Sequence, residues 1–422
     1  MDVPTGAVPK GAAPARAAPA GVALTKAEQA RALLAQGLAR HNAGDLAAAE
    51  ALYRRALRLS PGDPNALNLL GVAARQRGDL AEAVRLTGEA LQTRPDSPVF
   101  LAAHGGALAE AGQAERAVPV LRRAVALRPA DALSQRNLGQ ALLVLGDAAS
   151  AVSPLRTAAS LMPEPENHLA LAYGLREAGD AAGAAAAARA ALAGAPDAVA
   201  AQARFLLAAL GTEAAPDRAP ASYVRELFDR YAPRFDAHLQ GTLNYRTPEA
   251  LAAALRAAGI AAEGAATVLD LGCGTGLSGA ALRPFAARLE GLDLSPGMLR
   301  EAARAGHYDA LHEADLLGFL PAHPGAFTIV AAVDVLNYLG DLTTAFRGMA
   351  TALQPGGVAA FSLEVGEEAP YALGEGMRFR HHPTQALALL ASAGFQLLLR
   401  EDTVLRQEKG RDVAGLILVA RR

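Results

Sequence analysis

Proline and glycine recur at a nearly constant interval through the first half of this 422-residue chain. Successive prolines are 33 or 34 residues apart, and a glycine stands 17 residues before each of them. Because glycine permits a tight left-handed turn and proline ends a helix, each interval predicts a helix, a turn and a second helix. The prolines are Pro61, Pro95, Pro129, Pro163 and Pro196, and the glycines are Gly44, Gly78, Gly112, Gly146 and Gly179.

Each interval also carries small residues where its two helices must approach each other. Alanine fills two such positions in every interval, and aspartate follows four of the five turn glycines, the exception being Gln113. A period of 34 with these marks resembles the tetratricopeptide-repeat family over about residues 30–198, in five repeats. The alanines are Ala49, Ala83, Ala117, Ala151 and Ala184, followed by Ala56, Ala90, Ala124, Ala158 and Ala191.

The pattern departs from that family in the second helix of each repeat, where the large aromatic residue survives in the first repeat alone. The fifth repeat is nearly all alanine there, so we expect shallow packing. A further helix over Ala198–Leu210 is expected to cap the stack, and residues 211–221, with two prolines, predict a linker. The residues at the aromatic position are Tyr53, Thr87, Leu121, Leu155 and Ala188.

Composition excludes several classes of function. The net charge of −2 gives no electrostatic case for nucleic acid. A single cysteine excludes an internal disulfide and a cysteine cluster for metal, and we expect no metal site. No apolar run is long enough to span a bilayer. Residues 1–24, rich in alanine and proline, lack the apolar core of a signal peptide, so we expect a disordered tail and a cytoplasmic protein.

The second half is marked by a glycine loop. The apolar run Val268–Leu271 contains one acidic residue, Asp270. It leads into Gly272, Gly274 and Gly276, which have a G-x-G-x-G spacing, and a helix-forming stretch follows. Such a turn brings backbone amides close to a nucleotide-like ligand at the carboxyl end of a parallel sheet. A dinucleotide fingerprint needs its third glycine where this chain has Leu277, which argues against a nicotinamide dehydrogenase.

Acidic residues follow further apolar runs in the same order. Asp293 lies 17 residues after the last loop glycine, near the offset at which an acid accepts ribose hydroxyls. Asp315 and Asp334 follow later runs. Strands over 267–271, 288–292, 308–313, 327–333 and 357–364 alternate with helices, which predicts a parallel, doubly wound α/β sheet. Two last runs, 395–406 and 412–421, predict a hairpin that adds an antiparallel strand at one edge.

This array resembles the class I S-adenosylmethionine-dependent methyltransferases over about residues 222–422, which implies a Rossmann-like, seven-stranded sheet. The resemblance implies that the loop holds the methionine part of the cofactor, Asp293 the ribose and Asp315 the adenine amino group. The strand end from Asp334 to Tyr338 then faces the methyl group and its acceptor. The implied cofactor-binding residues are Asp270, Gly272, Cys273, Gly274, Gly276, Asp293, Leu294, Asp315, Leu316, Asp334, Tyr245 and Arg246.

The segments 222–229, 231–236 and 244–246 resemble a bacterial subgroup in which tetratricopeptide repeats precede the methyltransferase domain. This segment is expected to fold over the cofactor, where Arg246 pairs with its carboxylate, although a surface arginine is the equal alternative. Cys273 is better explained as a small loop residue than as a nucleophile. The sequence thus divides into a tail (1–24), a repeat domain (25–210), a linker (211–221) and a methyltransferase domain (222–422).

Three residues are candidates for the catalytic side of the site. Asn337 and Tyr338 follow the fourth strand, where either side chain can hydrogen-bond the acceptor, and Tyr338 can equally be a half-buried wall. His381 belongs to the chain's adjacent histidine pair and is a weaker candidate for a general base. The repeats suggest a groove for a protein partner or substrate. Alternatives are a small-molecule methyltransferase with repeats for assembly, or a non-catalytic scaffold.

Overall fold

The computed structural model describes residues 24–232, 235–236, 245–368, 370–374, 376–408 and 410–422. The expected tail over residues 1–23, and Pro233, Arg234 and Asn244 of the cofactor-covering segment, lie outside the described residues. The chain separates into two compact units, one up to Pro95 and one from Asp96 onward.

The first half forms the antiparallel helix pairs that the interval of prolines and glycines predicts. The first unit contains α1 (Lys26–Asn42), α2 (Leu46–Leu59), α3 (Pro64–Gln76) and α4 (Leu80–Thr93). The second unit continues with α5 (Pro98–Glu110), α6 (Ala114–Leu127), α7 (Ala132–Val144), α8 (Ala148–Leu161), α9 (Pro165–Glu177), α10 (Ala181–Ala191) and α11 (Asp197–Ala209). The described residues thus contain five helix pairs followed by a further helix, α11.

The aspartates after the turn glycines begin the second helix of their repeats. The side chain of Asp45 accepts the N–H of Ala48 at 3.1 Å, and Asp79, Asp147 and Asp180 repeat this bond. Such a bond satisfies one of the free N–H groups at a helix start. Gln113, the exception in the sequence, makes no side-chain cap bond to any described residue.

Large and small residues interlock within the first four repeats. A Cβ added to Gly105 would lie 2.6 Å from the Leu121 side chain, and one added to Gly139 would lie 2.4 Å from that of Leu155. Gly37 and Gly71 face Tyr53 and Thr87 in the same way. The large residue of each second helix therefore fills the space left by a glycine on its partner helix, whether or not that residue is aromatic.

The fifth repeat differs from the expectation of shallow packing. Its alanines, including Ala184 and Ala188, are buried in an apolar cluster that we call the junction cluster. The cluster also contains Phe205 of α11, Tyr223 of α12 (Ala221–Tyr231) and Phe379 of a short strand, β7 (Phe379–His381). The small side chains of α10 let these larger residues approach, so the missing bulk is supplied by other elements of the second unit.

The segment proposed as a linker runs along the sheet domain. The carbonyl of Asp217 accepts the N–H groups of Gly340 and Asp341 at 2.8 and 3.0 Å, and the N–H of Ala219 donates to the carbonyl of Tyr338 at 2.8 Å. The hydroxyl of Tyr371 donates to the Asp217 carboxylate at 2.9 Å. We call residues 211–220 the connector. Its second half is bonded to the sheet domain at several points.

The second unit contains a seven-stranded sheet in the order β3-β2-β1-β4-β5-β9-β8 within the described residues. β1 to β5 are parallel, and β9 is antiparallel to β5 and β8, which confirms the doubly wound sheet and the edge hairpin. The strands are β1 (Ala266–Leu271), β2 (Ala286–Asp293), β3 (Ala310–Glu313), β4 (Phe327–Ala332), β5 (Leu353–Glu364), β8 (Gln396–Glu408) and β9 (Arg411–Arg421). A small second sheet pairs β6 (Tyr371–Leu373) with β7 (Phe379–His381).

Apolar layers cover both faces of the large sheet. Leu269 and Leu271 of β1 face one layer, and Val268 faces the other, as the alternation of a strand requires. The remaining helices are α13 (Thr247–Ala257), α14 (Leu277–Leu282), α15 (Pro296–Ala305), α16 (Leu316–Phe319), α17 (Thr343–Ala352) and α18 (Pro383–Ser392). Because both faces are covered, the carboxyl ends of the parallel strands are where a ligand can reach the sheet.

The junction cluster can be tested with Phe205→Ala. The Phe205 ring lies 5.2 Å from the Tyr223 ring and 6.1 Å from that of Phe379, and the side chain is buried. We expect the free energy of unfolding to fall by about 3–5 kcal/mol in urea titrations, the cost typical of an emptied aromatic site. Val99→Ala, at a 50% exposed position of α5, is the control and should change it little. Equal small effects of both substitutions would contradict a shared core.

Candidate functional site

A cavity of about 1620 Å³ lies at the carboxyl ends of β1 to β5. Its inner wall contains the glycine loop after β1, and the strand ends at Asp293, Asp315 and Asp334 follow along the same cavity. The volume exceeds that of typical small-molecule sites, which is roughly 300–1,000 Å³. A nucleotide-sized ligand would therefore leave room for a second molecule.

The glycine loop turns with left-handed backbone at all three of its glycines. The φ angles of Gly272, Gly274 and Gly276 are +64°, +53° and +102°, which residues with side chains rarely adopt. A Cβ on Gly272 would lie 2.5 Å from the Val335 side chain, whereas one on Gly274 would meet no closer atom than Cε1 of Phe235 at 3.8 Å. Gly272 is thus packed against protein, and Gly274 leaves backbone open to the cavity.

Asp270 lies beneath the loop and not among the described residues that line the cavity. Its Oδ2 accepts the hydroxyls of Ser278 at 2.6 Å and Tyr308 at 2.7 Å, and its Oδ1 has no partner among the described residues. Burial raises the pKa of Asp270 from 3.8 to about 6, although the two hydroxyls act in the opposite direction. This carboxylate therefore organises the loop from below.

Asp293 joins the end of β2 to the loop. Its Oδ2 accepts the N–H of Gly274 at 3.0 Å, and its Oδ1 accepts that of Ser295 at 2.8 Å. Burial raises its pKa to about 6, while these amide bonds lower it. Asp293 and Leu294 both line the cavity, so a carboxylate fixed by backbone amides faces the ligand space.

Asp315 and Leu316 line the next part of the cavity, at the start of the short helix α16. The Oδ1 atom of Asp315 accepts the N–H of Leu317 at 3.0 Å, which caps the helix. Its Oδ2 atom accepts a bond from Nη2 of Arg218 at 2.7 Å. Arg218 belongs to the connector and gives no sign of a site role in the sequence.

Asp334 follows β4 with a φ of +52°, a strained conformation for a residue with a side chain. The hydroxyl of Ser362 donates to its Oδ1 at 2.7 Å, and the backbone N–H of Asp334 donates to that hydroxyl oxygen at 2.8 Å. Burial raises the pKa of Asp334, and a hydrogen bond from Tyr245 counters this. Tyr245 and Asp334 both line the cavity.

Asn337 is held by an ionic network that sequence reasoning missed. Its amide donates to Oε1 of Glu364 at 3.3 Å, and its amide oxygen accepts the Glu364 N–H at 3.1 Å. Arg378 donates to Glu364 at 2.7 Å, and Arg406 bonds both Glu364 and Glu408. Glu364 ends β5, so the series of acids that end strands was the available signal. The arginines come from distant hairpins and carried no such signal.

Tyr338 is a half-buried part of the cavity wall, and burial raises its pKa. Its ring packs edge-on against Phe228 of α12, with centroids 5.6 Å apart. Phe235 lies 6.0 Å from Phe228 and 5.3 Å from Tyr231, so aromatic rings stand together over the loop. These rings give the cavity an apolar wall beside the loop.

Besides Asp270, three further residues proposed from the sequence are not among the described residues that line this cavity. His381 is buried, and its Nε2 bonds the carbonyl of Leu339 at 2.8 Å, so this nitrogen serves the backbone and does not face the acceptor space. Arg246 is exposed at the start of α13. Gly276 begins α14 and shapes the loop. Burial raises the pKa of the Cys273 thiol, which opposes a nucleophilic role.

The repeats supply part of the outer wall. Arg176 and Glu177 at the end of α9, Gly179 in the turn, and Ala181 of α10 line the cavity together with Leu210 after α11. Tyr223, whose ring stacks on Tyr173 at 6.2 Å, lies between this wall and the sheet domain. The cavity therefore extends from the glycine loop to the fifth repeat.

Comparisons with known proteins give separate matches for the two halves of the chain. A family model for the tetratricopeptide repeat matches residues 14–64, 34–98 and 103–164, and one for the methyltransferase domain matches residues 269–361. The chain thus contains tetratricopeptide repeats and a methyltransferase domain, each matched over part of its length.

Curated relatives match the methyltransferase part. Human methyltransferase-like protein 27 is 39% identical over 112 residues, 26% of this chain and 45% of that protein. The trans-aconitate 2-methyltransferase of Azoarcus sp. (strain BH72) is 41% identical over 101 residues, 24% of this chain and 39% of that protein. The ubiquinone biosynthesis O-methyltransferase of Sodalis glossinidius (strain morsitans) is 31% identical over 99 residues, 22% of this chain and 40% of that protein. The chain spans less than half the length of each of these three relatives.

Among the described residues, no helix has the length and apolar character to cross a membrane. The same residues contain no group of three or more His, Cys, Asp or Glu side chains that could hold a metal ion.

The buried charge of Asp270 can be tested with Asp270→Asn. Because the folded-state pKa is raised from 3.8 to about 6, this group favours the folded state below pH 3.8, and that contribution is lost as the pH rises through 6. We expect the Asn variant to have a higher melting temperature at pH 7.5 and a weaker loss of stability between pH 4 and 6.

Asp309→Asn is the control of opposite sign. The Arg283 guanidinium holds the pKa of this exposed carboxyl below 3.8, so Asp309 stabilises the protein at neutral pH. Its replacement should lower the melting temperature at pH 7.5. A decrease for both variants would show that Asp270 is not a destabilising charge.

Proposed function

We propose that the protein is an S-adenosylmethionine-dependent methyltransferase whose repeats bind a protein partner or substrate. The observation that carries this proposal is the order of groups along one cavity: the open glycine backbone, then Asp293, Asp315 and Asp334. The cofactor is a nucleoside with cationic sulfonium and ammonium groups, so hydroxyl-accepting carboxylates and an acidic lining match its chemistry.

The residues fit this cofactor part by part. Gly272, Cys273 and Gly274 would hold the methionine end, since Gly274 leaves room for close approach to the backbone. Asp293 would accept the ribose hydroxyls, because its two oxygens are held by amides and keep further lone pairs. Asp315 and the Leu316 amide would meet the adenine edge. When bound, the cofactor supplies a methyl group already activated by the positive sulfur.

The chain's own residues then have to place an acceptor and exclude water. Tyr338 and the Asn337–Glu364 pair lie at the end of the cavity beyond the cofactor acids, where a lone pair would be held in line with the sulfur. The side chain and the backbone N–H of Glu364 both bond the Asn337 amide, so this side chain forms a fixed part of the cavity wall. The aromatic rings of α12 close the side toward the loop.

A protein acceptor is favoured slightly because the cavity reaches the fifth repeat. A partner held by the repeats would lie next to Arg176 and Leu210, at the outer end of the same cavity. The small-molecule alternative has support of its own, since two relatives are named for trans-aconitate and for ubiquinone biosynthesis. The scaffold alternative is disfavoured because the loop and three acids are intact.

The cofactor site can be tested with Asp293→Ala. The substitution removes the acceptor for the ribose and for the Gly274 N–H, so we expect affinity for S-adenosyl-L-homocysteine to fall by roughly 2–3 kcal/mol in calorimetry. Glu313→Ala is the matched control, because Glu313 also ends a strand but pairs with Arg225 at 2.8 Å outside the cavity lining. Unchanged affinity in the Asp293 variant would remove the ribose assignment.

Delivery by the repeats can be tested by removing residues 1–95, which leaves the compact unit from Asp96 to Arg422. Proteins captured by the full chain are first incubated with it and with radiolabelled S-adenosylmethionine, to identify one that accepts methyl groups. The shortened protein should bind S-adenosyl-L-homocysteine as before but methylate that protein at least tenfold more slowly, because a linked binding surface raises the acceptor's local concentration. Equal rates at matched concentrations would refute delivery by the first repeats. Circular dichroism checks the fold.

A further inference from the structure

The connector forms a wall of the cavity as well as a covalent link. Arg218 and Ala219 both line it, beside Asp315 and Tyr338. Residues 211–216 before them are exposed, whereas Ala219 is buried. The change from exposed to buried chain occurs where the connector meets the carboxyl ends of the strands.

Backbone bonds hold Arg218 from both sides. The carbonyl of the preceding Asp217 accepts two N–H groups, from Gly340 and Asp341, and the following Ala219 donates to Tyr338. Arg218 itself pairs with Leu339 in an antiparallel bridge. Because the backbone is hydrogen-bonded at successive residues here, the Arg218 side chain has fewer positions available than an ordinary surface arginine.

The guanidinium of Arg218 is directed at one carboxylate. Its Nη2 lies 2.7 Å from Oδ2 of Asp315, and the two side chains are 35% and 33% exposed. The other oxygen of Asp315 caps Leu317. The carboxylate is therefore held at both oxygens, one by a helix start and one by the connector, and each oxygen retains a lone pair for a further donor.

We propose that Arg218 is a positioning residue for the adenine end of the cofactor, acting through Asp315. The proposal rests on the proposed function, in which Asp315 accepts the exocyclic amino group of adenine. Arg218 keeps this carboxylate in one rotamer, so its free lone pair is available before the nucleoside arrives. The connector between the repeats and the sheet domain thereby supplies part of the nucleobase specificity.

The chemistry predicts which ligand can reveal this role. Adenine carries an amino donor at C6, and hypoxanthine carries a carbonyl oxygen there. A fixed carboxylate attracts the donor at C6 and repels the carbonyl, so the protein should prefer an adenosyl ligand over the inosyl ligand, which differs at C6 and carries a hydrogen on N1. If Arg218 only stabilised the fold, its removal would weaken both ligands together.

The experiment measures the affinities of the full-length protein for S-adenosyl-L-homocysteine and S-inosyl-L-homocysteine by calorimetry. In Arg218→Gln we expect affinity for the adenosyl ligand to fall about tenfold, the range of one charge-assisted hydrogen bond. Affinity for the inosyl ligand should stay within about twofold, since this ligand gains nothing from the fixed carboxylate. Arg218→Lys keeps the charge and should recover part of the preference.

Arg283→Gln is the matched control. Arg283 pairs with Asp309 at 2.8 Å, and its pair is 34% and 43% exposed, close to the values for Arg218 and Asp315, but neither residue lines the cavity. This variant should lose stability and keep the adenosyl preference.

The proposal about Arg218 would be overturned if Arg218→Gln kept the wild-type preference for the adenosyl ligand, or if it lost affinity for both ligands equally. It would also be overturned if Arg283→Gln lost the preference to the same extent as Arg218→Gln. In each case, binding of the adenosyl ligand by the wild-type protein would leave the proposed function intact. A wild-type protein that binds neither ligand would overturn the proposed function, and this role of Arg218 with it.

Discussion

The junction cluster determines where the cavity wall and the connector lie in the second unit. Phe205, Tyr223 and Phe379 come from the helix α11, from α12 and from the second sheet, and the Phe205 ring lies 5.2 Å from that of Tyr223 and 6.1 Å from that of Phe379. Burying such rings contributes several kcal/mol to stability. The outer cavity wall and the path of the connector both follow from this packing, because each begins at an element that the cluster holds.

Helix α12 shows how packing and site geometry are combined in one element. Tyr223 belongs to the junction cluster, and Gln202 of α11 donates to Glu226 at 3.1 Å on the same side. Residues on the other side reach the sheet domain, since Asp229 accepts the Ser295 hydroxyl at 2.6 Å and Phe228 packs on Tyr338. A helix three turns long therefore contacts both the repeat domain and the rim of the cavity.

The sequence predicted what regular spacing encodes. The interval of glycines and prolines predicted the helix pairs, and the strand–acid–helix order predicted the sheet, the loop after β1 and the position of Asp293 at a strand end. Arg218, Glu364, Arg378 and Arg406 were missed because their roles depend on contacts between segments far apart in the chain, for which one sequence has no period. His381 was chosen for its residue type, and type alone does not show that its ring nitrogen is bonded to the backbone at Leu339.

The shared packing of the fifth repeat has a consequence for how such proteins can diversify. A helix pair whose alanines accept the side chains of a neighbouring domain cannot be exchanged without also changing Tyr223 and Phe379. Sequence drift and recombination should therefore treat the fifth repeat, α11 and the large sheet as one inherited block. Repeats before Pro95 belong to a separate compact unit. Exchange of repeats at that end therefore requires no change in the junction cluster.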